Sequence, residues 1–271
     1  MSETLAFVGG GQMAGSLIGG LRAAGHAASR LRVAEPDAAR ADFLRREFGV
    51  KVYATAAEII KGADALVLAV KPQVMQKAVR GLAPAPTTTV ISIAAGIRIE
   101  SLRKWLGSSA PIVRAMPNTP ALLRAGVSGL YAPPSVTPSA RALAEKILQA
   151  AGKTCWVKSE TLLDAVTAVS GSGPAYFFLL AEAMQEAAVA LGLDRKTAKL
   201  LAEQTLVGAG RMADGDIELA TLRANVTSKG GTTEAAIAHF EKNGVRKLVA
   251  GAITAAAERS RALGDALAEQ P

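Results

Sequence analysis

Two glycine-rich stretches, near opposite ends of the chain, hold the residue types that could do chemistry. Residues 226–240 read VTSKGGTTEAAIAHF, with Ser228-Lys229-Gly230-Gly231-Thr232-Thr233 standing directly before an apolar helical pattern. A loop that frees backbone N–H groups at a helix start is equipped to hold an anion, because the unpaired N–H groups and the helix dipole both favour negative charge there. Thr232 and Thr233 are also residue types that cap a helix. Near the other end, Gly9-Gly10-Gly11-Gln12-Met13-Ala14 fits G-x-G-x-x-A, placed after the strand-like LAFVG and before the helical SLIGGLRAAG. The glycines allow a tight turn and a close approach of backbone to a pyrophosphate, so this stretch predicts a dinucleotide site.

Further residues follow from where strands should end. Glu35 lies 20 residues after Gly15 at the end of LRVA, where a carboxylate accepts from the adenosine ribose 2′-OH and disfavours a 2′-phosphate. Arg40 is near enough to serve a phosphate instead, which leaves NAD(H) and NADP(H) both open. Ala69-Val70-Lys71-Pro72 closes another strand, with Lys71 as a cation beside phosphate or ribose. The small residues of SIAAG (92–96) let a nicotinamide lie close to backbone, and Met116-Pro117-Asn118-Thr119-Pro120 forms a rigid turn presenting Asn118.

The usual acid–base and metal residues are scarce. His26 and His239 are the only histidines and read as surface or helix-packing residues, while Asp216 and Glu218 read as solvated loop carboxylates. No His, Cys, Asp and Glu cluster has metal-ligand spacing, so no metal is expected. Cys155, the single cysteine, excludes an intramolecular disulfide and, in the strand-like KTCWV, is expected to be buried and inert.

The elements that must position these residues come in two kinds. Eight strand-like runs (5–9, 31–34, 50–53, 65–70, 88–93, 111–116, 127–132 and 154–157) alternate with amphipathic stretches such as 37–49 and 137–152. Several runs are apolar throughout, as in a parallel sheet covered on both faces. The expected fold is α/β, a Rossmann-type doubly wound sheet over residues 1–159, followed by an all-α dimerisation domain over 160–271. In 137–152, Thr137 is the expected N-cap, Pro138 the first helical residue and Gly152 the terminator. The later helices, rich in Ala and apolar on more than one face, should pack against a second copy of the chain.

Composition narrows the class. Among 271 residues, half are hydrophobic and 20% charged, as in an ordinary globular protein. The net charge of +8 is scattered, with no basic block, so it fits an anionic metabolite or cofactor better than a nucleic acid. The N-terminal MSETLAFVGG lacks a basic-then-apolar leader, and the uncharged run Ala165 to Ala181 contains Gly-Ser-Gly-Pro. No membrane association and a cytoplasmic location are expected.

In GGGQMA, AVKPQ, SIAAG, RAMPNTP, SGSGPAY and above all NVTSKGGTTEAAI, the chain resembles the Δ1-pyrroline-5-carboxylate reductase family over nearly its whole length. The resemblance implies reduction of the ring imine of pyrroline-5-carboxylate to L-proline with NAD(P)H, by a homodimer or a ring of dimers. It places Val8, Gly9, Gly10, Gly11, Gln12 and Met13 around the pyrophosphate. Ala69, Val70, Lys71, Pro72, Ala94, Ala95 and Gly96 fall along the nicotinamide half, and Asn225 touches the cofactor from the helical domain. It assigns Val226, Ser228, Gly230, Gly231 and Thr232 to substrate binding, with the substrate carboxylate on backbone N–H groups, and sets the Thr233 hydroxyl beside the ring nitrogen.

Two departures concern Lys229, where the family often has proline, and Thr55-Ala56-Ala57, which lacks an asparagine common in relatives. A β-hydroxyacid dehydrogenase would need a lysine on the helix after Gly230-Gly231, which has none before Lys242. A broader cyclic imine reductase shares all the chemistry. A cofactor-binding sensor without turnover would not need the Gly-Gly-Thr-Thr stretch.

Overall fold

The computed structural model describes residues 2–268. Residue 1 and residues 269–271, at the ends of the two expected domains, lie outside it. All eight expected strands form: β1 (Leu5–Val8), β2 (Leu31–Ala34), β3 (Lys51–Tyr53), β4 (Ala65–Leu68), β5 (Thr89–Ser92), β6 (Ile112–Met116), β7 (Gly126–Tyr131) and β8 (Gly152–Trp156). The helices are α1 (Gln12–Ala23), α2 (Ala38–Phe48), α3 (Ala57–Ile60), α4 (Pro72–Val79), α5 (Ile99–Leu106) and α6 (Pro138–Gln149). They continue as α7 (Leu162–Val166), α8 (Gly173–Ala190), α9 (Arg195–Met212), α10 (Leu219–Asn225), α11 (Thr232–Lys242) and α12 (Val245–Ala268).

The strands form one sheet in the order β3-β2-β1-β4-β5-β6-β7-β8. The first six are parallel, while β7 runs antiparallel to β6 and carries β8 with it. A parallel return needs a crossover of a dozen residues or more. The nine residues between β6 and β7 are too few, so the chain turns back instead. Alternate side chains of the parallel strands feed two apolar layers, as period-2 strands must. Leu5, Phe7, Leu31, Val33, Val67 and Ile91 meet α1, α2 and α6 on one face. Ala6, Val8, Leu66, Leu68 and Val90 meet α3, α4 and α5 on the other. Burial on both faces is why these strands read as continuous apolar runs.

By packing, the chain divides into Met1–Ser172 with Ala256–Pro271, and Gly173–Ala255. The expected change at 159/160 follows secondary-structure type, whereas packing keeps α7 and the end of α12 with the sheet.

Thr137 caps α6 as expected, whereas the expectations for Gly152 and Cys155 fail. Asp37, Thr137 and Asp194 each accept from the first turn of their helices. Gly152 does not terminate α6, which ends at Ala150. It opens β8 instead, because a Cβ there would lie 2.0 Å from the Gly126 carbonyl. Cys155 is exposed rather than buried. It stands on the edge strand β8, where alternation turns Lys153 and Cys155 outward and Thr154 towards Glu145 of α6.

His26 is almost fully buried, and neither ring nitrogen has a hydrogen-bond partner. Burial holds its pKa below the ordinary 6.5; Lys146 adds to the effect and Glu3 opposes it. The unfolded chain therefore takes the proton first, and stability should be complete above pH 6.5 and fall as the pH drops below it. Urea unfolding of the wild type between about pH 7.5 and about pH 5.5 should show that decline, and His26→Leu should flatten it. An equal slope in both proteins would place the acid sensitivity elsewhere.

Candidate cofactor and substrate sites

In the sheet-bearing unit, β2, β1, β4 and β5 bring their carboxyl ends to one edge, with the order reversing between β1 and β4. Such a reversal opens a crevice for ligands. Most of the cofactor residues expected from the sequence meet there. Gly9 follows β1 with φ +96°. A Cβ on it would lie 2.8 Å from Val70 Cγ1 and 2.9 Å from the Ala69 carbonyl, so no other residue type fits between these loops. Val8 is buried beneath it, whereas Gly11 and Gln12 are exposed. Gly11 caps α1 without a side-chain hydrogen bond and has open space around its Cα. The first-turn N–H groups of Gln12 and Met13 thus remain available to a phosphate.

A second uncapped helix start lies on the same edge. Lys71 precedes α4 with no side-chain cap, and Pro72 is its first residue. At the end of β5, Ala94 and Gly96 are buried and Ala95 is half-buried. Small residues and open N–H groups fit a dinucleotide, whose pyrophosphate needs both positive helix ends and close backbone.

Glu35 and Arg40 have partners that the sequence does not show. Glu35 Oε2 accepts the Gly10 N–H at 2.8 Å, and its other oxygen accepts the Asp37 N–H at 3.0 Å. Arg40 donates to the Gly10 carbonyl and, at 3.0 Å, to that of Gly11, while its guanidinium lies 4.6 Å over the Phe43 ring. Both residues therefore brace the glycine turn. Thr55, after β3, gives its N–H and hydroxyl to Glu58. Asn118 is not an exposed turn residue. It is buried, and its Oδ1 accepts from the Val127 N–H at 2.9 Å, joining the ends of β6 and β7.

The second unit contains residues 225–234, between α10 and α11. Asn225 ends α10 and is exposed, as are Val226, Ser228 and Gly230. Gly230, at φ +73°, donates its N–H to Glu234 Oε2 at 2.7 Å, and the Gly231 N–H goes to the Ser228 carbonyl at 3.0 Å. The helix cap is Gly231 and not a threonine, with no side-chain cap bond. Among the described residues the hydroxyls of Thr232 and Thr233 have no partner, and the N–H groups open to an anion are those of the first turn. Glu234 was missed in the sequence. Its signal is an acid three residues after the cap, the position that reaches back to the turn. A carboxylate already sits on this loop.

A family model described as pyrroline-5-carboxylate reductase dimerisation matches residues 160–263. Another, described as NADP oxidoreductase coenzyme F420-dependent, matches residues 4–96. The pyrroline-5-carboxylate reductase of Pseudomonas aeruginosa is 50% identical over 98% of this chain and 98% of its own. The chain belongs to the pyrroline-5-carboxylate reductase family. A solved pyrroline-5-carboxylate reductase from Coxiella burnetii is 42% identical, with a TM-score of 0.92 over 97% of this chain and 99% of that one. The pyrroline carboxylate reductase of Plasmodium falciparum, solved with NADP bound, is 30% identical, with a TM-score of 0.81 over 97% and 98% of the chains. The family's reaction is the NAD(P)H-dependent reduction of Δ1-pyrroline-5-carboxylate to L-proline, the closing step of proline biosynthesis.

Glu35 braces the Gly10 turn, and one substitution tests the expectation that it also selects the cofactor. Glu35→Gln keeps the shape but removes the charge expected to oppose a 2′-phosphate. The ratio of kcat/KM for NADPH to that for NADH should rise about tenfold, which is ~1.4 kcal/mol. An unchanged ratio, with both KM values raised, would mean that Glu35 only holds the Gly10 turn.

Proposed function

We propose that the two sites divide the reaction between cofactor and substrate. Val8 to Met13 and Glu35 hold the pyrophosphate and adenosine half, Ala69 to Pro72 and Ala94 to Gly96 line the nicotinamide half, and Asn225 contributes from the helical domain. A bound nicotinamide supplies the hydride. The first-turn N–H groups of Thr232 and Thr233 receive the substrate carboxylate, on a turn shaped by Gly230 and Gly231 and walled by Val226 and Ser228.

The observation that carries this reading is the open start of α11: Gly231 caps it without a side-chain bond, and Glu234 occupies the Gly230 N–H and not those of the first turn. A protonated ring imine is already electrophilic, so the chain must orient it and exclude water. The Thr233 hydroxyl, not used in capping, is free to partner the ring nitrogen.

The same reading makes the protein a cytoplasmic homodimer with the functional division at 159/160. Phe177, Phe178 and Leu179 on α8 are 59%, 64% and 66% exposed, an apolar surface that a second copy would cover. The dimerisation model over residues 160–263 supports this division.

Initial rates of NADPH and NADH oxidation with pyrroline-5-carboxylate test the assignment of Thr233. Thr233→Ala should lower kcat by about 10- to 1000-fold without abolishing turnover. A variant with wild-type kcat would remove Thr233 from the chemistry.

A further inference from the structure

Gly96 closes the small-residue loop after β5, and it lies directly against a second glycine from the far end of the chain. A Cβ on Gly264 would stand 2.7 Å from the Gly96 carbonyl oxygen, and one on Gly96 would stand 3.3 Å from Gly264 Cα. The last turns of α12 therefore rest on the loop, backbone to backbone. One turn earlier on α12, and on the same face, Ser260 is buried and donates to Asp164 Oδ1 at 2.8 Å. The other oxygen of Asp164 takes Arg98 Nη2 at 3.3 Å, and Arg98 caps α5 two residues after Gly96. Asp265 stands 3.9 Å from the same guanidinium. Behind the loop, Glu160 accepts both the Ile99 N–H and Arg114 Nη1 at 2.8 Å.

A buried carboxylate persists only with its partners in place, so the Ser260–Asp164–Arg98 chain fixes both the rotation of α12 and the start of α5. With that rotation fixed, the residue facing Gly96 can carry no side chain.

We propose that Gly264, seated by Ser260 and Asp164, is a positioning residue for the Ala94–Gly96 backbone and through it for the nicotinamide half of the cofactor. The proposal rests on the reading that this loop lines that half. Moving Gly96 by even part of an ångström displaces the surface against which hydride transfer is aligned, where a misplacement of about 1 Å can cost a hundredfold. The glycine turn after β1 and Glu35 after β2 lie beyond β4 from this contact, so the adenosine half should be untouched.

Three variants, Gly264→Ala, Ser260→Ala and Gly96→Ala, test the proposal. The readouts are steady-state kinetics, binding of 2′,5′-ADP as a probe of the adenosine half, and amide hydrogen exchange of residues 93–99 without cofactor. Gly264→Ala should lower kcat with NADPH by about tenfold or more, and Ser260→Ala should lower it less. Both should speed exchange in that segment and leave 2′,5′-ADP affinity within about twofold of wild type. Wild-type kinetics and exchange in the Gly264 and Ser260 variants, with Gly96→Ala impaired, would overturn the proposal and leave the loop's role standing. Wild-type turnover in Gly96→Ala as well would remove the loop's role and the proposal together. A parallel loss of 2′,5′-ADP affinity would mean general loosening of the domain and would also overturn it.

Discussion

The close approach of the β1 and β4 ends at Gly9 is the constraint on which the rest of the cofactor site depends. Between Gly9 and the Ala69 carbonyl and Val70 side chain there is no room for a Cβ. That lets the chain leave β1 in a left-handed turn and enter α1 with its first N–H groups bare. The sheet order reverses at this point, so the two strand ends diverge and leave a crevice where both α1 and α4 begin. An anion placed there meets positive helix ends and unpaired donors with little reorganisation. Arg40 and Glu35 do not simply wait for a ligand; they tie the carbonyl and N–H of Gly10 and keep the turn open.

The loop proposed to hold the substrate uses the same physics with different parts. Gly230 and Gly231 spend their N–H groups inside the turn, on Glu234 and the Ser228 carbonyl, and the first turn of α11 is left unsatisfied. Both threonines stand inside the helix rather than at its cap, so their hydroxyls are not consumed by it. A reductase acting on an iminium needs orientation and dryness more than a strong acid. The chain has only two histidines, one buried without a partner just after α1 and one exposed on α11, six residues after Thr233.

Much of the fold was legible because its signals are local. The eight strands showed themselves as short apolar runs, and Thr137 as a cap by residue type and position. The failures share one cause, which is that a residue type does not name its neighbour. Cys155 reads as an inward strand residue until β8 is known to be the sheet edge. Asn118 reads as a ligand contact until Val127 is seen to come back alongside it, a return forced by the short connection to β7. Gly152 reads as a helix stop until the Gly126 carbonyl is found where its side chain would be.

By itself the sequence determined the element types, the two glycine-rich turns at helix starts and the family, because hydrophobic period, turn chemistry and motif spacing are properties of neighbouring residues. Tertiary structure decided which donors remain open and what holds them, since those depend on residues far apart in the chain. Glu35 finds Gly10 across 25 residues, and Ser260 finds Asp164 across 96. Gly264 faces Gly96 only because α12 returns to the sheet, and no local pattern in RALGDAL records that contact. Buried polar groups and bare backbone select their partners by geometry, and that geometry exists only once the sheet is assembled.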